Sequence, residues 1–166
     1  FPEIDRAVVS STLFGTRPVV HLYQQDLPFT IESRGRTYVI AADGVVAGES
    51  STFTGVDKTI LIRDESGVEV KKGARVLRSD DAIFFTTASD ILRKKSRGVD
   101  LIRLTIVPRE AYLKVKDLTY ELRVFLDEPA DVQMGTFFSA EKTLGERGEK
   151  PSTYIDLRAG EKVYWQ

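Results

Sequence analysis

The sequence predicts an α+β domain with an antiparallel sheet of mixed-length strands and two helices packed on one face, preceded by a partial small domain. Three observations support this prediction. Short alternating runs separated by Gly, Asp and Ser dominate the first half of the chain. Two longer segments have helical periodicity and lie among the later strands. Two helices are too few for a doubly wound sheet.

The first 28 residues are predicted to be the C-terminal part of a preceding small domain, and residues 29–166 the main domain. Short strands are expected at 6–10 and 17–23, and this part ends at Leu27-Pro28. Because the chain begins with Phe1 and not Met, we expect it to be an excised piece, from which any anchor it had has been cut away.

The clearest strands of the first half are expected at 19–23, 38–41 and 59–63. Ala42-Asp43-Gly44 and Asp64-Glu65-Ser66-Gly67 supply the glycines that tight turns need at positive φ. Both segments therefore predict β-hairpins.

An amphipathic helix is predicted from Ser79. The residues on one face recur at helical spacing, and all but the last are apolar: Phe84, Ala88, Ile91, Leu92 and Lys95. Ser79 is expected to cap the first turn, and acidic residues follow it as the helix dipole favours. Basic residues before Gly98 suit the other end.

Strands are then expected at 100–107, 111–115 and 119–127, followed by a second helix that Pro129 opens and that continues through Leu144. The last two strands are predicted at 152–158 and 161–165, with the turn at Ala159-Gly160.

Composition excludes several function classes. The 166 residues fit one domain or one domain plus a fragment, and 42% hydrophobic residues suffice for a core. A formal net charge of −1 argues against a nucleic-acid partner, since such proteins are usually strongly basic. Without cysteine and with His21 as the single histidine, cysteine zinc sites and imidazole clusters are impossible. We expect no cofactor and no metal, and a small-molecule ligand is not expected.

Catalytic motifs are missing from the sequence. The nearest approach to a nucleophile elbow, at 48–52 around Ser50, lacks the second glycine. His21 is interpreted as a half-buried strand residue. Asp127, Glu128 and Asp131 could form an acid–base pair or a calcium site, but acids at a helix start are also favoured electrostatically.

Two further charged groups have competing interpretations. The basic group Arg93, Lys94, Lys95 and Arg97 could contact phosphates, anionic lipid or an acidic protein segment, or could only compensate the helix dipole. Asp156 and Arg158 lie two apart on one face of a strand, so a structural salt bridge is the simplest interpretation.

The last strand, with Val163, Tyr164 and Trp165, places two large aromatic residues at the end of the chain. Trp and Tyr are frequent anchors of protein interfaces, and a terminal strand at a sheet edge can accept a partner strand. The alternative is that Trp165 only closes the core.

The closing run Ser152-Thr153-Tyr154-Ile155-Asp156-Leu157-Arg158, followed by Val163-Tyr164-Trp165, resembles the C-terminal signature of bacterial cell-division proteins of the FtsQ/DivIB family. The upstream order is also similar, from Phe1-Pro2-Glu3-Ile4 through Tyr38-Val39-Ile40 to Asp43-Gly44. The resemblance implies that residues 1–28 end a POTRA domain and that residues 29–166 form the β domain.

Members of this family are bitopic, non-enzymatic septal proteins that bind the small coiled-coil proteins FtsB and FtsL outside the cytoplasmic membrane. The resemblance thus implies a single-pass membrane protein whose anchor lies outside this chain. By resemblance, the partner adds to the last strand and the basic helix end meets its carboxylates. The expected partner-binding residues are Lys94, Lys95, Arg97, Tyr154, Ala159, Gly160, Val163, Tyr164 and Trp165.

Two alternatives stay open. A POTRA-associated envelope-assembly or export module would bind a different partner with a similar architecture. An envelope hydrolase or glycan-binding domain would require a deep polar pocket around Asp127 and Asp131.

Overall fold

A computed structural model describes residues 4–10, 19–24, 27–65, 67, 69–160 and 162–166. The described strands are β1 (Ile4–Ser10), β2 (Val19–Gln24), β3 (Phe29–Ser33), β4 (Arg36–Ile40), β5 (Val46–Glu49), β6 (Ile60–Asp64), β7 (Val99–Leu104), β8 (Glu110–Val115), β9 (Glu121–Phe125), β10 (Tyr154–Ala159) and β11 (Lys162–Trp165). The two α-helices are α1 (Ser79–Lys94) and α2 (Ala130–Arg147). Short 3₁₀ turns occupy Ser50–Thr52 and Val56–Lys58.

The strands form two sheets. β1 and β2 pair as an antiparallel hairpin, and the other nine strands lie in the order β11-β10-β9-β8-β7-β6-β3-β4-β5. Both helices belong to one buried cluster, and α1 contacts α2. The α+β class with two helices is therefore confirmed.

The large sheet is mixed and not purely antiparallel. β3 and β6, β6 and β7, and β9 and β10 are parallel neighbours. The parallel pairs β6–β7 and β9–β10 follow from how the chain connects them, since α1 joins β6 to β7 and α2 joins β9 to β10. A helical crossover returns the chain to the same end of the sheet, so the second strand runs in the same direction as the first.

One row of apolar residues crosses the sheet on the face that the helices cover. Its members stand directly opposite one another in successive strands and are at most 1% exposed: Ile31, Ile62, Ile102, Leu113, Leu122 and Ile155. Phe85 and Phe137 of the two helices belong to the same cluster. This row gives the sheet its register, since a one-residue slip would expose it.

Local details of the first half confirm one predicted turn and correct another. The turn at 42–44 joins β4 to β5, and Gly44 adopts φ +87° with Leu77 so close that a Cβ would lie 2.3 Å from its carbonyl oxygen. The segment from Asp64 forms no hairpin, because β6 is parallel to both neighbours and the chain leaves it to reach α1.

The helices begin close to where the sequence predicts. α1 starts at Ser79, but its N-cap residue is Arg78 and no side chain caps it. The Ser79 hydroxyl instead accepts a hydrogen bond from Arg75 at 3.0 Å. Among the described residues, no helix is both long and apolar enough to span a membrane.

The assignment of residues 1–28 to a preceding domain stays a prediction. Residues 1–3, 11–18 and 25–26 lie outside the described part of the chain. His21 lies opposite Val8 in the β1–β2 hairpin, and the burial predicted for its side chain is outside the described residues.

Candidate functional site

The two edges of the large sheet differ. At the β5 edge, a loop covers the backbone of the strand: the Val46 N–H donates to the Ala74 carbonyl at 2.9 Å, and the Gly73 N–H donates to the Val46 carbonyl at 2.8 Å. At the β11 edge, no described strand follows. Unpaired edge backbone is a template for pairing with another chain, so β11 is the candidate site.

Register shows which backbone groups of β11 face outward. Gln166 exchanges hydrogen bonds with Tyr154 of β10, and Tyr164 stands opposite Asp156. Because hydrogen-bonded positions alternate along an antiparallel strand, Tyr164 bonds inward like Gln166. Val163 and Trp165 therefore direct their N–H and C=O groups away from the sheet.

Side chains of β11 point to both faces of the sheet. Trp165 stands opposite the buried Ile155, on the helix-covered face, and is still 43% exposed. Tyr164 is 54% exposed on the opposite, open face. The strand therefore presents one aromatic residue on each face, beside a backbone edge that pairs with no further described strand.

A groove of about 460 Å³ runs between β11 and α2. Its lining consists of Thr136, Ser139, Ala140, Thr143, Leu144, Arg147, Val163 and Trp165. The helix contributes mostly small residues at positions three and four apart, which leaves space beside Trp165. These lining residues of α2 are not among those predicted from the sequence, although the helical spacing of Thr136, Ala140 and Thr143 is a readable signal.

The turn before β11 agrees with the sequence prediction. Gly160 follows β10 with φ +64°, a conformation that favours glycine, and Ala159 pairs with Lys162 across the turn. The register shifts between Asp156 and Ala159, so a bulge bends this end of the hairpin.

Tyr154 lies one strand inward from the edge. The Arg123 guanidinium stacks 3.6 Å from the centre of its ring, on the open face of the sheet. Next to it, Arg158 binds Asp156 at 2.5 Å, which confirms the expected salt bridge. Burial alone raises the pKa of the Asp156 carboxyl, but hydrogen bonds from Arg158 outweigh it and hold that pKa below its usual value.

The basic group lies on the other side of α2. Arg97 binds Glu141 at 2.9 Å and stacks over Phe137, and the Lys95 ammonium lies 5.9 Å from the centre of the Phe138 ring. Lys94 is exposed at the end of α1.

The groove beside β11 uses the opposite face of α2. Phe138 and Glu141 are near one another on one side of the helix, while Thr136, Ala140 and Thr143 line the groove. The structure therefore does not bring the basic group and the last strand together on one surface, contrary to the expectation.

Of the three carboxylates at the start of α2, Asp127 has a structural partner. Asp127 accepts a hydrogen bond from Arg109 at 2.7 Å, and Arg109 also binds Asp81 at 2.6 Å. Within the described ranges, no three acidic or histidine side chains come close enough to hold a metal ion.

No family model matches this chain, and no curated protein sequence matches it.

Proposed function

We propose that this chain is the extracytoplasmic scaffold domain of a bacterial cell-division protein of the FtsQ/DivIB type. In this proposal the domain performs no catalysis and uses no cofactor. It binds small single-span coiled-coil proteins of the FtsB and FtsL type by adding a strand of the partner to β11. A membrane anchor outside this chain would hold it at the cytoplasmic membrane.

The contrast between the two sheet edges carries the proposal. A loop hydrogen-bonds to the β5 backbone, as proteins commonly cover an edge that must not associate. β11 instead combines outward backbone groups with two exposed aromatic residues and an adjoining groove. Strand addition uses such an edge, because main-chain hydrogen bonds supply affinity and side-chain pockets supply specificity.

The resemblance of the closing run, Tyr154 to Arg158 followed by Val163 to Trp165, supports the family and the partner class. The proposed contact is centred on Val163, Tyr164 and Trp165, with the Ala159-Gly160 turn at its end. Lys94, Lys95 and Arg97 are left out of this contact because α2 lies between them and the strand.

Two proline substitutions test strand addition by removing single backbone N–H groups of β11, one that faces outward and one that bonds to β10. Val163→Pro removes an N–H that faces outward, and a β-strand edge tolerates the fixed φ of proline. Tyr164→Pro removes an N–H that bonds to β10, so it is expected to detach β11 and lower stability. Val163→Ala keeps the outward N–H and controls for the lost side chain.

The assay is affinity capture from solubilised membranes of the source bacterium, with mass spectrometry of the bound proteins and circular dichroism of each bait. We expect wild type and Val163→Ala to retain small single-span coiled-coil proteins, and Val163→Pro to lose them by about tenfold or more while keeping its fold. Retention of those proteins by Val163→Pro would exclude strand addition at β11. Capture of an envelope-assembly or export protein instead would favour the alternative module.

A further inference from the structure

A second groove lies at the opposite ends of the two helices from the basic group. It has a volume of about 360 Å³ and runs between the first turns of α1 and α2. Its lining is Asp80, Ile83, Phe84, Thr87, Leu126, Asp127, Glu128, Pro129, Ala130 and Asp131. We call it the acidic groove. None of its described lining residues belongs to β10 or β11, although a Cβ on Gly160, in the turn after β10, would lie 3.8 Å from the Glu128 carboxylate.

The floor and one wall of the acidic groove are apolar. Phe84, Leu126 and Ala130 form buried parts of its surface, each at most 9% exposed. Ile83 stands at its side and is 62% exposed, although it is the kind of residue that folding normally buries. An apolar side chain entering the groove would therefore remove Ile83 from water.

The rim carries charge of one sign. Among the described residues that line the groove, four are carboxylates and none is a cation, although the whole chain has a net charge of only −1. Asp127 binds Arg109, and Asp80 lies 3.8 Å from Arg78. Glu128 and Asp131 form no ion pair with any described residue.

Helix dipoles explain part of this pattern. Asp80 and Asp131 lie in first turns, where negative charge is favoured. Glu128 precedes α2. Compensation of a helix dipole does not explain why Ile83, which lines the same groove, is exposed. The combination of an apolar trough with unpaired carboxylates is complementary to a chain that is apolar and basic.

We propose that the acidic groove binds a short basic peptide segment that inserts an aliphatic side chain between Ile83 and Leu126. Lysine or arginine side chains flanking it bind Glu128 and Asp131. The groove is an open trough and not an enclosed cavity, which suits a peptide better than a small molecule.

The test uses a fluorescently labelled peptide built from alternating pairs of lysine and leucine, with a matched peptide in which glutamate replaces lysine. Fluorescence anisotropy measures affinity for the full chain, and amide chemical shifts locate the contact. We expect the basic peptide to bind, to shift the amides of Ile83, Leu126 and Asp131, and to bind more weakly at high salt. The acidic peptide should not bind.

Two double variants each remove two negative charges, one from the rim of the acidic groove and the other from elsewhere on the surface. The double variant Glu128→Gln with Asp131→Asn should weaken binding about tenfold, as the loss of two exposed ion pairs predicts. The control pair Asp57→Asn with Glu149→Gln removes two exposed carboxylates elsewhere and should leave affinity unchanged. Neither pair disturbs an ion pair of the described structure, so both variants should fold.

Ile83→Gln isolates the apolar contribution, since it keeps a good helix former at an exposed position. It should weaken binding about fivefold to tenfold at every salt concentration. Equal weakening by the control pair would show non-specific attraction of a basic peptide and overturn the proposal. Shifts confined to the β11 groove, or no binding at low salt, would overturn it as well.

Discussion

Substitution of Arg109 is predicted to destabilise the domain more than any other single change of a charged side chain at this end of the sheet. Arg109 follows β7 in a turn with φ +68° and donates to three groups. Nη1 binds Asp81 in the first turn of α1 at 2.6 Å, Nε binds Asp127 at 2.7 Å, and Nη2 binds the Leu126 carbonyl at 3.0 Å. One guanidinium therefore ties the starts of both helices to the β7–β8 turn.

The expected magnitude follows from the burial of each partner. The side chains of Arg109 and Asp81 are 19% and 11% exposed, whereas that of Asp127 is 51% exposed. Removing one partner of a buried pair costs about 3–5 kcal/mol because a desolvated charge is left behind, and an exposed pair is worth about 0–1 kcal/mol. Arg109→Gln should therefore lower the free energy of unfolding by about 3 kcal/mol, and Asp127→Asn by less than about 1 kcal/mol.

Urea unfolding at neutral pH with linear extrapolation measures these free energies. The double variant Arg109→Gln with Asp81→Asn should cost less than the sum of its single variants, because the orphaned Asp81 carboxylate is then gone. If Arg109→Gln costs no more than Asp127→Asn, or if the double variant is additive, the contacts of Arg109 with the starts of the two helices are not the source of stability.

Three further outcomes are expected. Leu122→Ala, in the buried row, should lower the free energy of unfolding by about 2–5 kcal/mol in the same urea assay, since it removes a fully buried side chain. Burial, followed by the charge of Glu141, raises the pKa of Tyr120 to about 12. Between about pH 10 and pH 12 only the phenol of the unfolded chain ionises, so the free energy of unfolding should fall as the pH rises through this range. Tyr120→Phe should abolish that fall. The pKa of Asp156 is lower in the folded protein than its usual value, so its interaction with Arg158 stabilises the fold above about pH 4 and is lost as pH falls further. Asp156→Asn should make the acid decline of thermal stability shallower, and an unchanged slope would contradict the assignment.

The sequence predicted the elements better than their pairing. Alternation located strands such as β8 and β10, because one face of the sheet is covered and the other is open. The same alternation cannot distinguish parallel from antiparallel neighbours. The order strand, helix, strand around α1 did contain that information, since such crossovers join parallel strands, and it also excludes the hairpin expected after Asp64.

The candidate site was only partly readable from sequence. The edge position of Val163–Trp165 followed from their place at the end of the chain and is found in the sheet order. The separation of Lys95 from that strand could not be predicted, because it depends on where α2 packs. Arg97 similarly contributes to packing against α2 by binding Glu141, which no local pattern around residue 97 indicates.

At the β11 edge, the helix layer of the domain extends further than the sheet beneath it. The apolar row that begins at Ile31 continues through Ile155 to Trp165, where exposure rises from 0% to 43% between neighbouring strands. Beyond Trp165 the groove still has a wall, because Thr136, Ala140 and Thr143 of α2 line it. The helix layer thus extends over space that the sheet does not fill. A further strand paired to Val163 and Trp165 would place its next inward side chain in that groove, against Trp165 and α2. Backbone pairing and burial of the exposed indole would then occur together, and this coupling is the physical basis of the proposed edge contact.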